Sequence, residues 1–135
     1  MIRRTRLTGA AALMAVAVAG AVLPGCGLKK RHRCTASASY AGRTISGRGD
    51  DLDDVARARS LAQQNLCIDY CDNQDPVVDA AARTKLGRAP QDTVERINTV
   101  RNPPVKTIHD ACIAACTKAT ATVQVDYKCE RTGIF

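Results

Sequence analysis

Between Arg48 and the C-terminus, apolar positions recur at helical spacing in two stretches and alternate at strand spacing in a third. Leu52, Val55, Ala58, Leu61, Ala62 and Leu66 fall on one broad face, which predicts a helix capped by Asp50 or Asp51 and running to about Asp69 or Cys71. Val105, Ile108, Ala111, Cys112, Ala115 and Cys116 do the same after Pro104, predicting a helix over 104–119. The run from Thr120 to Glu130 alternates through Thr, Val, Val and Tyr and reads as a strand; residues 32–48 read as strand or hairpin around Gly42. Asp75-Pro76 starts a shorter helix that Gly87 can end, and residues 88–103, with Pro90 and Pro103, suggest a short helix and a turn. These elements predict an α+β domain in which an antiparallel helical pair is flanked by terminal β-strands.

The N-terminus follows another pattern. Arg3, Arg4 and Arg6 precede an uncharged run from Leu7 to Leu23, and small residues with Pro24 lead to Cys26, the layout of an export signal. Leu23-Pro24-Gly25-Cys26 resembles the lipobox of bacterial lipoproteins. That resemblance implies cleavage before Cys26, acylation of its thiol and amine, and anchorage to membrane lipid without spanning the bilayer. Two or more chains hold such an anchor, since each buried methylene adds about 0.8 kcal/mol. Gly27 stands where aspartate would direct retention in an inner membrane, so the resemblance leans toward an outer-membrane location in the cell envelope. The expected organisation is a signal peptide over 1–25, a lipidated basic tether over 26–33 and a folded domain over 34–135. Lys29, Lys30, Arg31 and Arg33 in that tether would be drawn to anionic headgroups, or would simply solvate it.

Composition sharpens this picture. Removing residues 1–25 takes three arginines and no acids, leaving 17 Lys/Arg against 13 Asp/Glu, a balance too mild and dispersed for a nucleic-acid footprint. With one Phe, three Tyr and no Trp, the core has little aromatic material, and cross-links become important. Seven cysteines are present; setting Cys26 aside for lipid leaves Cys34, Cys67, Cys71, Cys112, Cys116 and Cys129, an even set with 15 possible full pairings in an oxidising compartment. Both long helices end in Cys-x-x-x-Cys, which puts each sulfur pair on one side. Two such helices lying antiparallel would align Cys67 with Cys116 and Cys71 with Cys112. The paired spacing resembles the twin Cys-x-x-x-Cys hairpins of small oxidised proteins, such as those of the mitochondrial intermembrane space, and supports that geometry alone. Cys34 and Cys129 remain, and a bond between them would close a loop of about 95 residues, worth at most about 4.7 kcal/mol.

Several chemistries are weighed and set below a structural role. The four helical cysteines match a zinc or iron–sulfur set in number, but export and the even count favour cystines. A redox dithiol usually spaces its sulfurs by two residues, not three. Asp50, Asp51, Asp53 and Asp54 suit calcium in type but lack its familiar register, and acids at a helix start stabilise its dipole. His109 and Asp110 are adjacent on a helix and point apart, and Gly47-x-Gly49 lacks the rest of a phosphate loop and reads as a strand-to-helix turn. No catalytic residue, metal or cofactor is expected. The leading expectation is a noncatalytic, membrane-anchored envelope lipoprotein that binds or positions a protein partner. A small-ligand-binding lipoprotein is the alternative, followed by an envelope thiol-redox or hydrolytic enzyme.

Overall fold

A computed structural model describes residues 30–133; the signal segment and Cys26 lie outside the described residues. Seven elements follow in order: β1 (Lys30–Tyr40), β2 (Arg43–Asp51), α1 (Val55–Asn73), α2 (Pro76–Leu86), α3 (Thr93–Val100), α4 (Val105–Thr120) and β3 (Asp126–Gly133). The strands form one antiparallel sheet in the order β2-β1-β3, with α1 packed on one face. The fold is α+β, with the sheet assembled from both ends of the domain. Among the described residues strand pairing reaches Lys30, opposite Gly133, so Lys30–Arg33 belong to β1 and not to a tether.

The β1–β2 hairpin turns on Ala41 and Gly42, both with positive φ (51° and 73°), as a two-residue turn matched to strand twist requires. Cys34, Ala36 and Ala38 of β1 and Ile45, Gly47 and Gly49 of β2 face α1, each set at the period-two spacing of a pleated strand. Against them lie Ala58, Ala62 and Leu66, one per helical turn and fully buried.

At this junction the structure departs from the sequence pattern in two places. Gly47-x-Gly49 is no strand-to-helix turn but the inner face of β2. A Cβ on Gly47 would stand 2.2 Å from the Leu66 backbone nitrogen, and one on Gly49 would stand 2.3 Å from the Ala58 carbonyl oxygen. Asp50 and Asp51 are not the caps of α1, because the ladder with β1 continues through Asp51. Asp54 is the cap, accepting from the Ala56 amide at 2.8 Å, while Asp51 accepts the Asp53 and Asp54 amides and shapes the connection. The helical face is correspondingly narrower than its apolar pattern suggests, and Leu52 and Val55 are exposed.

The remaining helices follow local signals closely. Asp75 caps α2 through the Val77 and Val78 amides, Pro76 occupies its first turn, and Gly87 ends it at φ 69°. Asp92 caps α3 through the Glu95 amide. Val78, Ala82, Val100 and Val105 form a second small core beneath α2, α3 and α4, and Cys112 packs against both cores. The third strand begins later than its alternation suggests: α4 runs through Thr120, whose hydroxyl donates to the Cys116 carbonyl, and β3 starts at Asp126.

Three cystines close the domain. Cys67 joins Cys116 and Cys71 joins Cys112, in the descending order that antiparallel helices require, while Cys34 joins Cys129 directly across the β1–β3 ladder.

The close approach of β2 to α1 generates a prediction. Gly49→Ala must push its new methyl against helix backbone, which no rotamer change relieves, and is expected to cost about 3 kcal/mol, on the order of 15 °C in Tm. Ser46→Ala, exposed on the opposite face of the same strand, is expected to move stability by less than about 0.5 kcal/mol; thermal and denaturant unfolding measure both.

Candidate functional site

The described residues most suggestive of chemistry meet where α1, the end of α3 and α4 converge. Asp72 lies in the last turn of α1, Arg101 immediately follows α3, and His109 projects from the second turn of α4. Asp72 and His109 are only 2% and 4% exposed, a degree of burial that demands compensation for a carboxylate. It is supplied on both oxygens. His109 Nε2 donates to Asp72 Oδ1 at 2.7 Å, and an Arg101 guanidinium nitrogen donates to Oδ2 at 2.6 Å. The hydrogen bond to Asp72 raises the Arg101 pKa against the opposing effect of burial, and the charge of Asp72 adds to it.

Asp69, one turn earlier on α1, stands differently. Burial raises its pKa, the neighbouring Asp72 raises it further, and Arg101 only partly offsets both. Beside this cluster is a cleft of about 350 Å3 whose rim carries Asn65, Arg101, Lys106 and Asp110, with Ile68 and Ile113 as its apolar walls. Lys106 is ion-paired with Asp110, one turn along α4. The second ring nitrogen of His109 stands 3.9 Å from Asp110, beyond hydrogen-bond reach. The cleft lining contains no hydroxyl or thiol nucleophile beside the imidazole. The arrangement is suited to neutralising a buried carboxylate and tying three helical segments together.

Along the chain His109 stands beside Asp110, which points away from it and is not its partner. The partner of His109 is Asp72, 37 residues away in the chain. One signal for this was available: α1 carries Asp69 and Asp72 near its C-terminus with no basic residue in the last turn, the unfavourable end of a helix dipole for acids. Acids retained there call for a cation from elsewhere in the fold.

The other candidate residues are distributed as follows. Asp50 lies opposite Arg33 on the sheet and pairs with Arg33 and Arg48; burial acts to raise its pKa, but those two arginines outweigh it and hold the carboxyl below its usual range. Asp51 is held low by the Asp53 and Asp54 amides, with Arg57 and His32 adding to the effect. Asp54 is committed to the α1 cap. Thus Asp50, Asp51 and Asp54 serve strand pairing, a turn and a cap; with Asp53 they line one open surface depression, but among the described residues no three acids are placed to hold a metal ion. The cysteines Cys34, Cys67, Cys71, Cys112, Cys116 and Cys129 are all in cystines.

The two acids of α1 are expected to respond in opposite directions to the loss of charge. Asp72→Asn removes the charge and one of the two acceptor oxygens that serve His109 and Arg101; because Arg101 is half exposed, solvent moderates the loss, and the expected cost is about 2–3 kcal/mol at neutral pH. Asp69→Asn should stabilise. Its folded pKa is raised above the unfolded value, so the ionised carboxyl disfavours the fold increasingly as pH rises through that interval, and the penalty is absent below the unfolded value near 4. Urea unfolding at pH 7 and pH 3 is expected to show the Asp69→Asn gain at pH 7 alone. No protein-family model, no curated protein and no solved structure matches the chain.

Proposed function

We propose that this protein is a lipid-anchored component of a bacterial cell envelope, held in the membrane through acylated Cys26, and that its cystine-stapled domain binds or positions a protein partner without catalysing a reaction. The observation that carries the reading is the disposition of sulfur. Of seven cysteines, the six described ones satisfy one another in three bridges, and Cys26, at the end of the lipobox-like segment, is needed by none of them.

Position supports the same reading. Cys26 precedes the first residue of β1 by four positions, a reach of at most about 14 Å even when fully extended. An anchor there would hold the sheet end carrying Lys30 and Gly133 close to the bilayer. The neighbouring basic residues contribute less to membrane attraction than their number suggests, because Arg33 is neutralised by Asp50. Anchorage therefore rests on acyl chains more than on charge.

Burial supports a structural role for the bridges. Cys67, Cys71 and Cys116 are at most 3% exposed, so an attacking thiolate has little access to the two helical bridges, whereas the Cys34–Cys129 bridge has a buried and an exposed end. A partner-binding role needs a rigid surface, and nested cystines around a small core supply one.

Intact and peptide-level mass spectrometry of the protein from its native host is the direct test. The expected mature chain begins at Cys26, carries acyl chains there, and yields linked peptides for 34–129, 67–116 and 71–112. Cys26→Ser is expected to shift the protein by more than about tenfold from the acyl-anchored membrane form to an unacylated one that keeps residue 1. Acylation absent from native Cys26, or free thiols among the other six, overturns the proposal.

A further inference from the structure

The sheet has two edges, and the structure treats them differently. The two-residue hairpin makes Tyr40 and Arg43 a hydrogen-bonded pair, and alternation along the ladder then turns the backbone groups of Thr44, Ser46, Arg48 and Asp50 outward from β2. That edge is guarded: α1 lies against the strand, and the Asn65 side chain donates to the outward Arg48 carbonyl at 2.6 Å. The same alternation makes Cys34 and Cys129 a non-hydrogen-bonded pair of β1 and β3, in keeping with their Cα separation of 4.0 Å. Tyr127, Cys129 and Arg131 therefore aim their amides and carbonyls at the open side of β3. Among the described residues nothing pairs with that side, and every residue of β3 except Tyr127 and Thr132 is exposed. An exposed row of unpaired backbone groups is a template for another strand.

We infer that two copies of this chain join antiparallel through β3, with Cys129 opposite Cys129, to form a continuous six-stranded sheet. The charge pattern of the strand suits a second copy as partner, and charge together with length of overlap selects the register. Side chains must meet on the same face, so the two-fold axis passes through a residue and not between residues. Centring on Lys128 sets lysine against lysine and Asp126 against Glu130, centring on Glu130 sets glutamate against glutamate, centring on Arg131 sets arginine against arginine, and centring on Tyr127 pairs Asp126 with Lys128 but overlaps only three residues of β3. Centring on Cys129 sets Lys128 of each copy against Glu130 of the other, Tyr127 against Arg131, and Asp126 against Thr132. No like charges are then directly opposed along β3, and two opposite-charge pairs form by symmetry. That register also makes Cys129 with Cys129, and Tyr127 with Arg131, hydrogen-bonded pairs, the pattern for which the outward backbone groups are already aimed. The pairing goes beyond lipid anchorage and does not depend on acylation of Cys26.

Charge exchange tests it. The full chain, extracted in detergent, is taken through a concentration series by sedimentation equilibrium as the unmodified protein, Lys128→Glu, Glu130→Lys and the double variant. The unmodified protein is expected to dimerise, each single reversal to weaken the dimer roughly tenfold or more, and the double variant to recover it, because it restores opposite charges with the sites exchanged. Hydrogen exchange on the unmodified protein is a second readout that no folding defect can mimic: the Tyr127, Cys129 and Arg131 amides are expected to be protected at high concentration and to lose protection on dilution. A monomer at every concentration, a dimer indifferent to either reversal, a double variant as weak as the singles, or those amides exchanging rapidly at all concentrations overturns the proposal.

Discussion

The approach of α1 to β2 sets the geometry on which the rest of the domain depends. Two side-chain-free positions, Gly47 and Gly49, let the strand backbone lie against the helix backbone at Ala58, Ala62 and Leu66. The gain is a dense interface in which methyl-sized groups sit between the larger Ile45 and Leu66 side chains. That arrangement suits a chain with one Phe and no Trp, because short separation compensates for small side chains in filling the space between layers. It also removes freedom. Once α1 is seated, Cys67 and Cys71 are placed, the position of α4 follows from their bridges, and the end of α1 carries Asp72 into the junction with Arg101 and His109.

Covalent and electrostatic ties then divide the work by depth. The first core, beneath α1, includes Tyr70 packed edge-on against Tyr40 and is crossed by the Cys67–Cys116 bridge. The second core contains only four buried residues, Val78, Ala82, Val100 and Val105, too little apolar material to hold α2 and α3 unaided. Polar ties supplement it: Asp79 binds both Arg83 and Arg96, linking α2 to α3, Lys85 reaches the Pro103 carbonyl, and Arg101 reaches Asp72. The buried Asp72–His109 pair resembles a bridge in effect but not in cause. Its net contribution is limited by desolvation of the carboxylate, whereas its loss would leave buried polar groups unmatched. Such a pair fixes which helices meet more strongly than it stabilises their meeting.

Local signals made much of this legible. Asp75-Pro76 and Gly87 bound α2 because a cap, a missing amide hydrogen and a positive φ are properties of single residues. The paired Cys-x-x-x-Cys spacing likewise carried an antiparallel helix geometry, since sulfur positions repeat with the helical turn. What escaped the sequence was non-local. Gly47 and Gly49 have meaning only against a helix that begins at Val55, and Asp72 only against side chains 29 and 37 positions away. Asp50 was misplaced because its acidic neighbours look like a helix start, while pairing with β1 extends the strand past it. The start of β3 was drawn too early for a related reason: alternation in Thr120–Val125 competes with helical hydrogen bonding, and the helix keeps Thr120.

The position of β3 follows from the same geometry. The outer edge of β2 is occupied in part by Asn65 of α1, and the C-terminal strand adds beside β1, at the margin of the helical layer. There it has little packing of its own, chiefly Tyr127, which donates to Gln63 and receives Arg59 over its ring at 4.5 Å. Backbone pairing must carry the strand, and closing the intervening chain opposes that pairing entropically. The Cys34–Cys129 bond acts at this weak point, since it removes much of the closure entropy for a strand that burial does not secure. A sheet stabilised in this way can leave its last strand open to solvent, with an edge that the small core has no material to cover.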